Sequence, residues 1–153
     1  MTIFDELAAG VITRTPEDTE ALGRRLAGEL PDDSALALHG DLGCGKTTLV
    51  RGLARGMGIH KAITSPTYNL LALYRGTRQL AHLDAYRLES SRDLEPLGLE
   101  ALLESPFLLA VEWPDKVPQL FAELPARHLT LSIQEDGSHR IVLLDQQEWG
   151  PFP

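Results

Sequence analysis

The sequence has few cysteines, few basic residues and no long apolar run, and each scarcity excludes a class of protein. A single cysteine, Cys44, among 153 residues cannot form an internal disulfide and is typical of a protein from a reducing compartment. The 14 lysine and arginine residues are scattered, and the net charge of −8 argues against extended nucleic-acid binding by this chain alone. No apolar run approaches the roughly 18 residues of a membrane span, so we expect no membrane association.

The N-terminal residues and the length of the chain indicate a location and a domain organisation. Asp5 and Glu6 stand where a secretion signal would carry basic residues, so we expect a cytoplasmic protein. A hydrophobic content of 43% suits one core, and neither an internal repeat nor a long linker interrupts the sequence. We therefore predict a single domain over residues 1–153.

Short periodic segments separated by glycine and proline predict a mixture of strands and helices. Strands are predicted at 11–15, 34–39, 61–64, 68–74, 78–84, 107–111, 127–134 and 139–144. Helices are predicted at 16–30, with Thr15 as its cap, at 47–57, and at 91–104, where Pro96 and Gly98 break the helix into two short pieces. Asp136-Gly137 predicts a hairpin between the last two strands.

The segment from Gly40 to Thr47 matches the phosphate-binding loop pattern G-x-x-x-x-G-K-[ST] at every fixed position, between a predicted strand and a predicted helix. Glycines let consecutive backbone N–H groups point at phosphates, Lys46 reaches the outer phosphates, and Thr47 places a hydroxyl on Mg²⁺. The motif predicts a nucleoside triphosphate site in an α/β, P-loop NTPase-like three-layer fold, with a largely parallel central sheet and antiparallel additions. The predicted nucleotide contacts in the loop are Gly40, Asp41, Leu42, Gly43, Cys44, Gly45, Lys46, Thr47 and Thr48.

Two acids stand where they can act on the bound phosphates. Glu112 ends a continuous apolar strand, which is the position of the second magnesium-site residue in a P-loop protein. Strand alternation puts His82, Asp84 and Tyr86 on one face, so we expect Asp84 to face the phosphates and to orient water or hold a magnesium-bound water. Each acid also has a structural interpretation. Glu112 could simply mark where the strand leaves the core, and Asp84 could belong to a structural polar cluster.

Two further segments have a functional and a structural interpretation. Ser65-Pro66-Thr67 suits a switch whose hydroxyl senses the terminal phosphate or Mg²⁺, or a turn that caps a strand. Trp113 either packs beside the nucleotide or a partner, or is ordinary packing at a strand end. Cys44 is expected among inward-pointing amides near a helix N-terminus, so we predict that its thiol has a lowered pKa and is alkylated fast. The alternative is that Cys44 is an unreactive small residue that fills space.

These motifs together resemble the bacterial tRNA threonylcarbamoyladenosine biosynthesis ATPases of the TsaE type. The resemblance covers about residues 15–144 and rests on the order and spacing of five segments. They are the loop 40–48, Arg51-Gly52, Ser65-Pro66-Thr67-Tyr68, His82-Leu83-Asp84-Ala85-Tyr86-Arg87 and Val111-Glu112-Trp113-Pro114.

The resemblance implies a small ATPase that binds ATP or ADP with Mg²⁺ and supports tRNA modification without performing the transfer. Its implied partners are the threonylcarbamoyl transferase and that enzyme's paralogous partner subunit, and tRNA is met only through this complex. By position, Lys46, Asp84 and Glu112 are the implied catalytic residues, and Thr47 and Glu112 the implied magnesium ligands. Thr15 approaches the adenine side, and Thr67 belongs to the switch.

Other functions of a short P-loop chain stay open at this point. A small-molecule kinase needs an acceptor pocket and usually a mobile basic lid, and no arginine-rich segment suits that lid. A GTPase-like switch usually carries Asn-Lys-x-Asp to recognise guanine, whereas the only asparagine, Asn69, precedes Leu70. A third alternative is a nucleotide-gated adaptor, in which hydrolysis only resets an assembly. This function overlaps with the one that the family resemblance implies.

Overall fold

Seven strands and five α-helices form the described part of the chain, which is residues 1–66 and 70–145 of a computed structural model. The strands are β1 (Val11–Thr13), β2 (Ser34–His39), β3 (Leu71–Arg75), β4 (Gln79–Asp84), β5 (Phe107–Glu112), β6 (Ala126–Ile133) and β7 (His139–Leu144). The helices are α1 (Ile3–Ala9), α2 (Pro16–Glu29), α3 (Lys46–Gly56), α4 (Leu99–Leu102) and α5 (Leu120–Glu123), with 3₁₀ turns at Ser91–Leu97 and Pro114–Lys116.

All seven strands belong to one mixed sheet in the order β1-β7-β6-β2-β5-β4-β3. The central strands β6, β2, β5 and β4 run parallel, while β3, β7 and β1 are antiparallel to their neighbours. Of these, β2, β4 and β5 are buried on both faces, as parallel strands covered by helices must be, while β6 has exposed residues at both ends. The predicted α/β fold with a largely parallel centre is confirmed.

Helices cover both faces of the sheet and give three layers. On one face, leucines of α2 and α3 pack with Leu36 and Leu38 of β2 in the larger core cluster. On the other face, Ala35 and Ala37 of β2 lie in a second cluster with Phe121 of α5 and residues around α4. Each strand therefore contributes alternate residues to two separate apolar layers.

The segment before α2 and the loop before α3 meet at one end of the molecule. Gly23 of α2 lies against Gly52 of α3, and Ala27 lies against Gly56, so the two helices run in the same direction. Their N-termini therefore lie side by side, next to the loop that follows β2. Thr15 caps α2 as predicted, because its hydroxyl accepts a hydrogen bond from the Asp18 N–H at 3.1 Å.

Several predicted boundaries are wrong for local reasons. No described strand covers 61–64, because the carbonyls of Ile59 and Lys61 accept hydrogen bonds from the Arg55 guanidinium instead of a neighbouring strand. In the described part of the strand predicted at 68–74, β3 begins at Leu71, because the Leu70 N–H donates to the Pro66 carbonyl at 2.8 Å instead of to a neighbouring strand. Residues 67–69, including part of the predicted switch, lie outside the described residues.

Two short helices were not predicted. The helix α1 presents Ile3 and Leu7 to the larger core cluster, and α5 presents Phe121 to the other. Both are too short to show a clear helical period in the sequence. Among the helices at 1–66 and 70–145, none has the length and apolar character that a bilayer crossing requires.

Candidate functional site

The loop between β2 and α3 has the backbone conformation that its glycines predict. Gly45 has φ of 101° and begins α3 in the left-handed region, which a residue with a β-carbon rarely adopts. A β-carbon there would lie only 3.0 Å from the ring of His139. The loop is thus shaped by backbone conformation and by close packing against the start of β7.

Lys46 lies under the loop, held between a carbonyl and an aromatic ring. Its side chain is buried, Nζ donates a hydrogen bond to the Gly40 carbonyl at 2.6 Å, and Nζ is 3.9 Å from the ring centroid of Trp113. Trp113 has φ of 58°, a left-handed conformation that is unusual for a bulky residue. This turn directly after β5 places the indole beside the ammonium group, so Trp113 belongs to the site.

Strand register brings the two predicted acids to the same edge of the sheet. Glu112 pairs with Leu38 of β2 on one side and with Asp84 of β4 on the other. Because the three strands are parallel, their carboxyl ends meet next to the loop that follows β2. The sequence separates these acids by 28 positions, and the sheet makes them neighbours.

The two carboxylates differ in how they are bonded. Asp84 accepts hydrogen bonds at both oxygens, from the Ser65 hydroxyl at 2.9 Å and from the Tyr86 N–H at 3.1 Å. Glu112 accepts one from His82 Nε2 at 2.6 Å, through Oε2. Its Oε1 accepts none from the described part of the chain, so Glu112 keeps an oxygen for a further ligand.

A cleft of about 580 Å³ gathers most of the predicted site residues. Tyr86, which packs on Trp113 with ring centroids 5.1 Å apart, forms part of its wall. The predicted residues that line it are Leu42, Gly43, Gly45, Lys46, Thr47, Thr48, Ser65, Asp84 and Glu112. Arg87 lines it as well. Gly40 and Asp41 lie in the loop but do not line this cleft, and Thr67 is outside the described residues.

A smaller pocket of about 210 Å³ adjoins the cleft on the side of α2. Thr15 and Pro16 line it together with Thr48 and His139. Thr15 therefore lies close to the phosphate-binding loop. Its predicted role beside the adenine requires such a position. No sequence pattern indicated His139, which stands at the start of a strand nearly a hundred residues after the loop.

His139 supports the loop from β7. Its Nδ1–H donates to the Cys44 carbonyl at 2.7 Å, and its ring lines both the cleft and the smaller pocket. The contact fixes one carbonyl of the loop and ties it to the antiparallel end of the sheet.

The prediction of a reactive thiol at Cys44 is wrong. The side chain is buried, with Sγ packed against Gly40, and burial raises the pKa of the Cys44 thiol although the nearby Lys46 charge opposes this. A buried neutral thiol is a poor nucleophile. Cys44 is the small filler residue of the alternative interpretation.

The oxygen ligands of the cleft fit magnesium. Thr47 contributes a hydroxyl and Glu112 a carboxylate, and Mg²⁺ prefers hard oxygen ligands, with few protein groups and the rest from phosphate and water. Within 1–66 and 70–145 no three His, Cys, Asp or Glu side chains cluster as a metal site.

A pair of histidines next to the loop, His128 buried and His39 half-buried, makes stability depend on pH. His39, the residue before the loop, shares a hydrogen bond of 2.8 Å with His128 of β6. Burial, and then the neighbouring His39, lower the pKa of His128 to about 4, and burial also lowers the pKa of His39, where Asp115 opposes the shift. An unfolded histidine has a pKa of about 6.5, so below that pH the unfolded chain binds more protons than the folded one.

We therefore expect stability to be full above about pH 6.5 and to fall towards pH 4, by up to about 1.4 kcal/mol per pH unit for one proton. Urea unfolding at half-unit intervals would measure this slope. His128→Phe should flatten it between pH 6.5 and 5, while His60→Phe, at an exposed histidine, should not. Equal slopes in both variants would contradict the assignment.

Comparison with known proteins gives one consistent result. The family model described as threonylcarbamoyl adenosine biosynthesis protein TsaE matches residues 13–142. The tRNA threonylcarbamoyladenosine biosynthesis protein TsaE of Treponema pallidum is 37% identical over 134 residues, covering 86% of this chain and 97% of that relative. The protein of the same description from Bacillus subtilis is 35% identical over 126 residues, covering 82% and 77%. A crystal structure of Bacillus subtilis YdiB superimposes with a TM-score of 0.70 at 28% identity, covering 88% of this chain and 82% of YdiB.

Proposed function

The chain belongs to the threonylcarbamoyl adenosine biosynthesis protein TsaE family, and on that ground we propose that it is a P-loop ATPase that supports tRNA threonylcarbamoyladenosine modification. It binds ATP with Mg²⁺ and hydrolyses the ATP. Its partners are the threonylcarbamoyl transferase and the paralogous partner subunit, and it meets tRNA only through them, in the cytoplasm. The transfer reaction itself belongs to the partners.

The observation that carries this proposal is the meeting of Lys46, Thr47 and Glu112 in one cleft. The first two are the first residues of α3, directly after the loop that follows β2, and the third ends the neighbouring parallel strand β5. This edge of an open α/β sheet is where nucleotides bind in such folds. A fold that only packed a glycine-rich turn would not need a buried lysine and a buried glutamate at the same place.

Each residue has a distinct task in the proposed reaction. The loop amides and Lys46 bind the phosphates, while Thr47 and Glu112 would hold Mg²⁺. When bound, Mg²⁺ neutralises charge on the phosphate oxygens. Asp84 stands beside Glu112 with its carboxylate fixed by Ser65, and it orients water in the cleft. Thr15 and the smaller pocket accept the base.

Slow turnover is expected from the chain alone. Lys46 and Arg87 are the lysine and arginine side chains that line the cleft among the described residues, and Arg87 is exposed. An arginine held against the transferred phosphate accelerates P-loop hydrolysis by about 10³–10⁵-fold when it is supplied. We propose that the partner complex completes the site.

The test is ATP turnover by the purified chain, alone and with the purified transferase pair, at a fixed Mg²⁺ concentration. We expect little turnover alone and at least about tenfold stimulation by the pair, because a partner group completes a site that the chain holds only in part. Serum albumin in place of the pair controls for non-specific protein effects.

Substrate controls separate the remaining functions. GTP in place of ATP tests the switch alternative, and a panel of small acceptors tests the kinase alternative. Turnover that follows a small acceptor and ignores the pair would overturn the proposal and indicate a kinase. Equal stimulation with GTP and ATP would contradict the assignment of the base pocket.

A further inference from the structure

His82 is a buried side chain with a single polar contact. It lies on β4 between Leu80 and Asp84, on the sheet face that α2 and α3 cover, and none of its surface is exposed. Nε2 forms the 2.6 Å hydrogen bond to Glu112 Oε2, while Nδ1 is buried with no hydrogen-bond partner in the described residues. An imidazole that fills only half of its bonding capacity is costly inside a core, where an aliphatic side chain would cost less.

The bond connects two neighbouring strands diagonally. In the register of β4 and β5, His82 pairs with Ala110, and Asp84 pairs with Glu112. The side chains of His82 and Glu112 therefore lie on the same face, offset by two residues along the strands. Diagonal neighbours of this kind lie within reach of long side chains.

The direction of the bond can be assigned. An ionised carboxylate only accepts hydrogen bonds, so the proton in the 2.6 Å contact belongs to His82 Nε2. The bond occupies Oε2 and leaves Oε1 of Glu112 without a hydrogen bond from the described residues, although Glu112 lines the cleft. Because the hydrogen bond fixes one oxygen of this flexible side chain, the other oxygen can adopt fewer orientations.

We propose that His82 is a positioning residue that holds the Glu112 carboxylate with one oxygen presented to the magnesium ion of a bound nucleotide. This inference rests on the proposed function, because it assigns a support to the proposed magnesium ligand. His82 does not touch the nucleotide. Its removal should lower the affinity for Mg²⁺ while leaving the affinity for nucleotide without metal unchanged.

Two substitutions test the role of the hydrogen bond. His82→Leu removes the donor and keeps an apolar side chain in the core, whereas His82→Gln keeps an N–H donor of similar reach. Calorimetric titration of Mg²⁺ into each protein saturated with ADP gives the metal affinity, and ADP titration in EDTA gives the metal-free affinity. Loss of an outer-shell partner of a metal ligand typically costs about 10–100-fold in metal affinity.

We expect His82→Leu to weaken Mg²⁺ binding by about tenfold or more, with ADP affinity in EDTA unchanged, and His82→Gln to restore most of the loss. His128→Leu is the matched control, because it removes a buried histidine from the other face of the sheet and should leave the Mg²⁺ affinity unaltered. Unchanged Mg²⁺ affinity in His82→Leu would overturn the inference. An equal loss of ADP affinity in EDTA would also overturn it, because the effect would then be structural.

A measurement without nucleotide keeps the inference separate from the proposed function. In ¹H–¹⁵N spectra of the histidine side chains of the wild-type protein, we expect His82 to carry a slowly exchanging proton on Nε2, assigned by its absence in His82→Gln. A proton on Nδ1 alone would overturn the inference even if Mg²⁺ and ADP bind. If the Nε2 proton is present and the wild-type protein binds no nucleotide with Mg²⁺, the proposed function fails and the positioning role fails with it.

Discussion

Lys46→Ala is expected to weaken ATP binding by at least about thirtyfold, because it removes a buried cation from the phosphate end of the cleft. Truncating one partner of a buried, hydrogen-bonded charge pair costs about 2–5 kcal/mol, and 1.4 kcal/mol corresponds to a tenfold change in affinity. The ammonium group already stands at the loop, held by the Gly40 carbonyl and the face of Trp113. The measurement is calorimetric titration with ATP and Mg²⁺.

The loss should be one of binding and not of folding. The lysine makes its polar contact with a carbonyl of a glycine-rich loop, so its removal leaves both core clusters intact. Circular dichroism and the thermal midpoint of Lys46→Ala should therefore match the wild type closely. Lys61→Ala, at an exposed lysine after α3, is the control and should bind ATP normally. ATP affinity within a few-fold of wild type in Lys46→Ala would refute the phosphate-binding role of the loop.

The sequence predicts the site best where function depends on local backbone. The glycines and Lys46 form a continuous motif, and the predicted strand and helix around it agree with β2 and α3 to within a residue. The position of Glu112 was predictable because the residue ends a buried apolar strand, and the carboxyl ends of parallel strands meet at the same edge of a sheet. These inferences need only neighbours in sequence and the general rule for open sheets.

Contacts between distant segments were beyond the sequence. Alternation places His82 and Asp84 on one face, but only the register of β4 against β5 shows that His82 contacts Glu112. The contact of Ser65 with Asp84 depends in turn on the path of the chain between α3 and β3. His139 reaches the loop because β7 folds back along β6, which no local pattern specifies in detail. The error at Cys44 has the same origin, since its thiol packs into the core beneath Gly40 instead of facing the phosphates.

The glycines of α2 and α3 also acquire their meaning only in the fold. Helical propensity treats Gly23, Gly52 and Gly56 as weak points, because glycine destabilises a helix interior by roughly 0.5–1 kcal/mol relative to alanine. In the structure they permit two helix backbones to touch. This approach sets the N-terminus of α2, with Thr15, next to the phosphate-binding loop that begins α3.

Gly52→Ala is expected to destabilise the protein by more than about 3 kcal/mol, which is the largest effect on stability that we predict. A β-carbon at Gly52 would lie 2.1 Å from the Glu20 carbonyl oxygen and 2.9 Å from the Gly23 α-carbon, and both of these atoms belong to the backbone of α2. Backbone cannot rotate away as a side chain can, so the helices must separate and the core between them must loosen. For a domain of this size we expect the thermal midpoint to fall by about 10 °C.

Gly28→Ala provides the matched control, because it makes the same chemical change in α2 at a glycine that has no neighbour within 4 Å. There the alanine gains helix propensity without a clash, so stability should rise by about 0.5–1 kcal/mol. Urea unfolding of the two variants measures both signs in one experiment. A fall in both variants would mean that alanine is unfavourable in these helices for reasons other than packing, and a rise in both would mean that α2 and α3 do not touch at Gly52. Opposite signs are expected because one glycine lies at a helix contact and the other does not.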